Sequence, residues 1–395
     1  MTRDLILFAT ADWAEQYWTN KQRMADLFSN QGFRVLYVES FGLRSPGANK
    51  KDVKRLLRRL WTGILPPKKV KENLWVLSPL VIPRWQNPRI AKLNQLLLSL
   101  QIKLFTLFHR FKKPIVWTYH PFVTPLLKSI DASHIYYHVV DNITAVPNID
   151  ANLYHATEKD FLSHTHAVFV TSLPLKHYYE STMQHPSVYY SPNVVDVDHF
   201  AKAREVQSEP LEMQSIPRPR LLYYGVLSDF KLQVSLLLAI AEKKSEWQIV
   251  LIGEEREGQQ SPQLEALKKL PNVHFLGYRA YANLPPYLSA IDVGILPLQD
   301  NDYTRYMFPM KFFEFLAAGV PVVSTGIHAL LDYQSLFSLA NDAEGFIAAI
   351  ENQLAQKKPV ISVEEMHEKY SWDARMKQVL VVIKKFIDVD SKSDQ

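Results

Sequence analysis

Short apolar runs alternate with segments of helical spacing along almost the whole chain, a pattern that predicts strand–helix units and parallel sheets. Leu5–Thr10 reads as a first strand, residues 20–31 as a helix ended by Gly32, and Arg34–Glu39 as a second strand. After a basic stretch come a strand at Trp75–Leu80, a long helix near Pro88–Phe111, and strands at Ile115–Tyr119, Ile135–Val140, Ala167–Thr171 and Val188–Ser191. Helices are expected after Pro121 and near Leu153–His164. These elements make one complete doubly wound domain. Ala201–Arg220 is polar, holds three prolines, and reads as a linker. A second series follows: strands Leu221–Val226, Trp247–Gly253, Val273–Leu276 and Ile291–Pro297, with helices at Leu232–Lys243, Pro262–Leu270 and Leu284–Ser289. A last helix runs from the Ser371-Trp372 pair to about Ile387. The fold class expected is α/β, with two Rossmann-like domains facing each other across a cleft. The first domain spans 1–191 and the second 192–370, with a terminal helix, 371–395, packing back on the first.

Chemistry concentrates between Phe308 and Val323. Pro309 suits a first helical residue because its φ is preset and its missing N–H has no helical partner. Lys311 and Glu314 then stand three apart on one face of the first turn. Gly319 closes the helix and Pro321-Val322-Val323 continues as a buried strand. A cation, a carboxylate and free helix N–H groups at one spot suit a phosphate next to a polyol. An ordinary amphipathic helix with a surface Lys–Glu pair is the competing reading, and the long apolar tail after Glu314 argues against it.

This segment resembles the donor-binding helix of GT-B glycosyltransferases, close to glycosyltransferase family 4 and its teichuronic-acid-type bacterial members. The resemblance extends to Pro192-Asn193-Val194-Val195-Asp196, similar to the family's P-N-G-V-D segment, and to Leu270–Gly277, similar to the strand before the base pocket. It implies that Glu314 binds the ribose and Lys311 faces the diphosphate, with Pro309 and Met310 leading into the helix. Gly225 falls on the glycine of the second domain's first loop and Tyr278 follows the base-pocket strand. Three departures stand out. Val194 replaces a glycine, Val226 replaces a basic residue, with Lys231 either taking that role or facing solvent, and Tyr306 occupies the first acidic position of the family's E-x7-E pair.

Composition narrows the class. The 395 residues suit two domains of about 150–200 each. With no cysteine there are no disulfides or thiolate metal sites. The glycines form no G-x-G-x-x-G and no phosphate-binding G-x-x-x-x-G-K-[ST], against an oxidoreductase or a P-loop NTPase. The run Leu5–Thr10 is too short for a secretory h-region, and no uncharged run reaches the about 18 residues of a membrane span. The net charge of +5 conceals an asymmetry: residues 1–190 hold 24 Lys and Arg against 13 Asp and Glu, whereas residues 191–395 hold 21 against 27. Within Lys50–Trp61, apolar residues share one helical face and Lys54, Arg55, Arg58 and Arg59 cover the other, with Trp61 closing the segment. That is the pattern of a helix lying in a headgroup layer.

Candidate catalytic groups sit after strands. Asp141 is the best carboxylate for taking a proton from an acceptor hydroxyl, with a strand-end turn as the alternative role; His120 is the rival base. Thr304 and Arg305 follow the strand Ile291–Pro297 and are expected at the donor diphosphate. Asp12, Trp13 and Arg23 are expected on the acceptor side. The D-x-D triplets receive no metal role. The expectation is thus a metal-independent hexosyltransferase without a resident cofactor, taking a UDP- or GDP-linked sugar as co-substrate. It would be cytoplasmic, peripheral at the inner face of the cell membrane, with a lipid-linked or glycan acceptor, an anionic membrane surface and no nucleic acid as partners. A catalytically inactive GT-B-like nucleotide- and membrane-binding module is the alternative.

Overall fold

The computed structural model describes residues 3–15, 18–40, 61–82, 88–145, 149–206, 208–255, 261–356 and 361–393. The chain divides into two compact units, Met1–Pro192 with Gln378–Gln395, and Asn193–Lys377.

Among the described residues the first unit is built on eight strands: β1 (Asp4–Phe8), β2 (Arg34–Val38), β3 (Lys68–Lys71), β4 (Leu74–Leu77), β5 (Ile115–Thr118), β6 (Ile135–Val139), β7 (Ala167–Val170) and β8 (Val188–Tyr190). Their order is β3-β4-β2-β1-β5-β6-β7-β8, parallel throughout except for β3 against β4. Central strands such as β1, with every residue buried, read as continuous apolar runs because helices cover both faces. β3 was not expected from the sequence, where its lysines fall in the basic stretch ahead of Trp75. It is an edge strand, with Lys71 Nζ 2.8 Å from Asp26 Oδ1 and Lys69 Nζ 5.7 Å from the Trp75 ring centre. Lysines on an edge strand guard it against pairing with another chain. Lys54, Arg55, Arg58 and Arg59 lie outside the described residues, whereas Trp61 lies within them and is 70% exposed.

The second unit holds β9 (Arg220–Tyr224), β10 (Gln248–Ile252), β11 (Val273–Gly277), β12 (Val293–Leu296), β13 (Val322–Ser324) and β14 (Ser338–Leu339). The order β11-β10-β9-β12-β13-β14 is wholly parallel. The chain winds outward from β9 through β10 to β11, then returns to β12 on the other side. Strand order therefore reverses between β9 and β12, and the crevice beyond their carboxyl ends is where open α/β sheets take ligands.

Ala201–Arg220 is no free linker. It contains the helix Leu211–Gln214, and Ala203, Met213 and Ile216 are buried in the second core. Arg204 donates to Ala317 O (2.8 Å), Leu316 O (2.9 Å) and Ile361 O (2.9 Å), so it caps the end of the Lys311–Ala317 helix. Widely spaced apolar residues, the Arg204 guanidinium and ion pairs such as Glu212 with Arg279 (2.8 Å) and Arg218 with Asp292 (2.5 Å) dock the segment. Their spacing has no period to reveal them. The helix Trp372–Ser393 begins in the second unit and continues in the first, where Phe386 packs edge-on against Tyr136.

Candidate functional site

Beyond β9 the chain turns at Gly225, whose φ is +126°, and beyond β10 at Gly253, whose φ is +143°. Both values are ones that L side chains rarely adopt. The glycines also make room. A Cβ on Gly225 would lie 2.5 Å from Lys311 Cε and 2.7 Å from its Nζ, and one on Gly253 would lie 1.8 Å from the Gly225 carbonyl oxygen. The Lys311 ammonium is thereby laid across the Gly225 turn, 5.7 Å from the Tyr223 ring centre and 5.8 Å from that of Tyr224.

Glu314 is buried at 6% exposure and accepts a short hydrogen bond from the Tyr224 hydroxyl. Tyr224 closes β9, so the acid is anchored to the central strand of the sheet. Burial, then the charge of Glu314, pushes the Tyr224 hydroxyl pKa well up and keeps it a donor. Burial lowers the pKa of Lys311; the Glu314 carboxylate works against that shift and the Lys231 ammonium adds to it. Lys231, 4.8 Å from the Tyr303 ring centre, thus brings a second positive charge toward Lys311.

The helix begins at Lys311, two residues after Pro309, with Met310 as its N-cap. The Phe312 N–H donates to Pro309 O at 3.1 Å, so that donor is consumed by the entering turn.

The loop after β12 is organised by Asn301. Its Nδ2 donates to Phe230 O at 2.8 Å, and its Oδ1 accepts from the N–H groups of Tyr303 and Thr304 at 3.0 Å. Thr304 corrects the sequence reading. It is fully buried, with its hydroxyl donating to Gln299 O at 2.5 Å, so it staples the loop rather than offering a group to diphosphate. Arg305 is 44% exposed, 3.6 Å from Asp302 and 4.0 Å from Asp300. Those contacts are long and solvated, which leaves the guanidinium available to a stronger anion. Tyr278 is partly buried beyond β11 and Tyr306 is partly buried in the turn closed by its N–H to Tyr303 O (3.3 Å). Asn301 was missed as a hub, though an Asp-Asn-Asp run is a turn signal.

In the first unit Asp141 follows β6 and is half-buried. Lys21, in the first turn of the Asn20–Asn30 helix, faces it: burial lowers the Lys21 pKa and the charges of Asp141 and Glu15 work against that shift. Sequence reading missed Lys21, which no motif marks. Trp13, Trp18 and Arg23 form a cluster, with the tilted indole ring centres 4.8 Å apart and the guanidinium 5.6 Å from Trp18. The Trp13 N–H donates to Glu39 Oε1 at 2.8 Å, and Gln22 Nε2 donates to the Asp12 carbonyl at 2.9 Å. Asp12, Trp13, Glu39, Thr62, Lys68 and Ser78 help line a cavity of ≈ 270 Å³ beside these residues.

His120 does not fit the role of proton acceptor. It is 2% exposed, and burial pushes its pKa down to about 3. So weak a base stays unprotonated at neutral pH and supports structure instead. The depressed value gives a testable sign. The unfolded chain takes up a proton that the folded chain refuses between the ordinary 6.5 and about 3, so this support is complete above 6.5 and is lost as pH falls through that window. The loss runs at about 1.4 kcal/mol per pH unit at most. Melting temperatures of a His120→Gln variant are expected to fall less steeply than those of the parent between about pH 6 and pH 4. Equal slopes would mean that the imidazole is solvated.

Residues 218–356 match the family model described as "Glycosyl transferases group 1". The second unit carries a domain of that family. Its site elements, from the Gly225 turn to the Lys311–Ala317 helix, all fall inside the matched range. Over 132 residues the chain is 35% identical to TuaH of Bacillus subtilis (strain 168), assigned to teichuronic acid biosynthesis as a glycosyltransferase. That match spans 32% of this chain and 32% of TuaH, about a third of the length of each. The fold as a whole resembles solved structures across nearly its full length. Sucrose-phosphate synthase from Thermosynechococcus elongatus matches with a TM-score of 0.71 at 17% identity, covering 98% of this chain and 100% of that one. Alr3699/HepE of Anabaena, solved in complex with UDP, matches with a TM-score of 0.65 at 14% identity, covering 97% and 100%. Two parallel-sheet Rossmann-like units of this kind make a GT-B fold, as the sequence resemblance implied.

Proposed function

We propose that the chain is a glycosyltransferase that takes a sugar from a UDP- or GDP-linked donor and passes it to a lipid-linked acceptor in cell-surface polysaccharide synthesis. The observation that carries the reading is Glu314, buried and held by Tyr224 beside the Lys311 ammonium, at the crevice where strand order reverses. In this reading Glu314 accepts from the ribose hydroxyls, and Lys311, Lys231 and Arg305 face the diphosphate. Tyr278 lies on the base side. As the sugar–phosphate bond breaks, negative charge gathers on the departing nucleotide. Fixed cations in a partly desolvated crevice stabilise that charge more than they stabilise the intact donor, and this difference accelerates the reaction. Such a site has no need of a metal. Asp141 takes the proton of the acceptor hydroxyl, and Asp12, Trp13 and Arg23 line the acceptor side. The Alr3699/HepE structures, one with UDP and one with UDP-glucose, support a uridine donor by likeness of fold. The TuaH match supports the polysaccharide setting, hence an acceptor at the inner face of the membrane.

A second reading, a nucleotide-binding module without transfer, draws on Tyr306, which stands where the family's first acid is expected. Incubation with a panel of UDP- and GDP-sugars and membrane lipid extract, followed by product analysis, separates the two. A glycolipid product establishes transfer, whereas a melting shift with UDP or GDP but no product favours the module. A shift with NAD alone defeats both. Arg305→Ala, at an exposed position, is expected to weaken UDP binding by about three- to tenfold with an unchanged melting temperature, consistent with one solvated charge-assisted contact. Calorimetric titration reads that change, and equal affinity removes Arg305 from the diphosphate.

A further inference from the structure

The helix Pro88–Phe108 is held to the first unit by two amides. Asn94 exchanges hydrogen bonds with the backbone of Ile82, Oδ1 accepting from its N–H and Nδ2 donating to its carbonyl, both at 2.7 Å. Gln101 accepts from the Leu80 N–H at 2.9 Å and donates to Gly63 O at 2.8 Å. Leu98, Ile102 and Phe105 are buried on the same side. The face toward solvent is apolar as well. Leu93, Leu96, Leu100, Leu104, Leu107 and Phe108 are 42%, 66%, 52%, 59%, 78% and 86% exposed. The first five recur at intervals of three or four residues, so they share one stripe. The stripe extends about 20 Å along the helix axis at 1.5 Å per residue. Next to it, the segment that Gln101 ties to the helix leaves Trp61 and Ile64 each 70% exposed. An apolar surface of this extent, fixed by a rigid inner face, marks an interaction site.

Charge selects the partner. Arg89 lies along the stripe, and Lys92 and Lys103 border it on one side; all three are exposed. From Asn73 to Ile130 the chain holds eight Lys and Arg and no Asp or Glu. A second copy docking by two-fold symmetry would set these cations against themselves, because such an interface is self-complementary. Anionic headgroups over acyl chains match both features: leucines enter the acyl boundary and lysines meet the phosphates. Among the described residues no helix is long and apolar enough to cross a membrane, so the contact is one of a helix lying along the surface.

We infer that the outer face of the Pro88–Phe108 helix, with Trp61 and Ile64 beside it, is the surface on which the protein lies against an anionic bilayer. The inference refines the membrane setting proposed above and moves the apolar contact to a helix that sequence reading treated as an ordinary domain element. Thr62 and Leu65, on the same tied segment, line the cavity that also holds Asp12 and Trp13. A lipid-linked substrate could then keep its tail in the bilayer while its head group reaches that cavity.

The test is sedimentation of the full chain with phosphatidylcholine vesicles, with and without phosphatidylglycerol. The parent is expected to bind the anionic vesicles. Leu96→Gln, Leu100→Gln and Leu104→Gln together are expected to lower partitioning by at least about tenfold, given the apolar area withheld from the acyl boundary. Lys92→Glu with Lys103→Glu is expected to abolish the preference for phosphatidylglycerol. Both variants should melt with the parent and keep its response to UDP, because the altered side chains are exposed and lie in the other unit from the donor site. Parent binding that survives in the leucine variant overturns this surface while leaving the membrane reading intact. A parent that ignores anionic vesicles overturns both, and a parent dimer that the leucine substitutions dissociate assigns the stripe to a second copy.

Discussion

Glu314→Ala is expected to weaken UDP binding by about 10- to 100-fold while the protein stays folded, given about 1.5–3 kcal/mol for a hydrogen bond to a charged group. The carboxylate is buried and pinned by the Tyr224 hydroxyl, so its geometry is set before a ligand arrives. Preorganised acceptors lose little entropy on binding a ribose diol, which is why one residue can carry so much affinity. Glu314→Gln separates charge from shape. The amide preserves volume and one acceptor oxygen, and it also removes the charge that opposes the burial-driven fall of the Lys311 pKa. The amide variant is therefore expected to bind UDP more weakly as pH rises through the Lys311 titration, at lower pH than in the parent. Calorimetric titration across that range measures it. Equal UDP affinity in the parent and the alanine variant would remove the acid from the nucleotide site.

The two glycine turns should respond in different ways to the same added methyl. Gly253→Ala places a Cβ 1.8 Å from the Gly225 carbonyl oxygen, and the neighbours it meets are backbone atoms of Gly225, with no flexible side chain to yield. With an unfavourable φ of +143° added, destabilisation of at least about 3 kcal/mol is expected, enough to cost soluble expression. Gly225→Ala meets only the far end of Lys311. That side chain can swing aside, so the cost to stability is about 1–3 kcal/mol from the positive φ, and the ammonium leaves its place over the Gly225 turn. Affinity for UDP is expected to fall by about tenfold or more, the worth of a charge-assisted contact. Denaturant unfolding and UDP titration of both variants make the comparison. A Gly225→Ala protein that binds UDP as well as the parent would show that Lys311 is not positioned by this turn.

Much of this arrangement was legible beforehand because parallel strands buried on both faces are written as unbroken apolar runs. β1, β9 and β10 stand within a residue or two of their expected places. Glu314 and Lys311 were legible for a local reason, since spacing along one helix keeps them together whatever surrounds the helix. What failed was what depends on partners distant in sequence. Nothing near Thr304 says that its hydroxyl turns to Gln299, and nothing near His120 says that the strand end above it closes. Arg204 looked like linker charge because the carbonyls it caps are more than a hundred residues away. The edge strand Lys68–Lys71 was hidden by its lysines, which protect an edge but mimic a solvated loop.

The amino-acid order by itself determined two strand–helix series, their parallel winding, and the Lys–Glu pair on a short helix entering the last buried strands. Only the tertiary structure decided that Tyr224 holds Glu314, that Gly225 gives Lys311 its place, and that Lys21 faces Asp141. Only it showed that the long helix turns a leucine stripe outward. Periodicity records which residues avoid water on average. Which partner each one meets, and which apolar face is left uncovered, are set by packing between segments far apart in the chain.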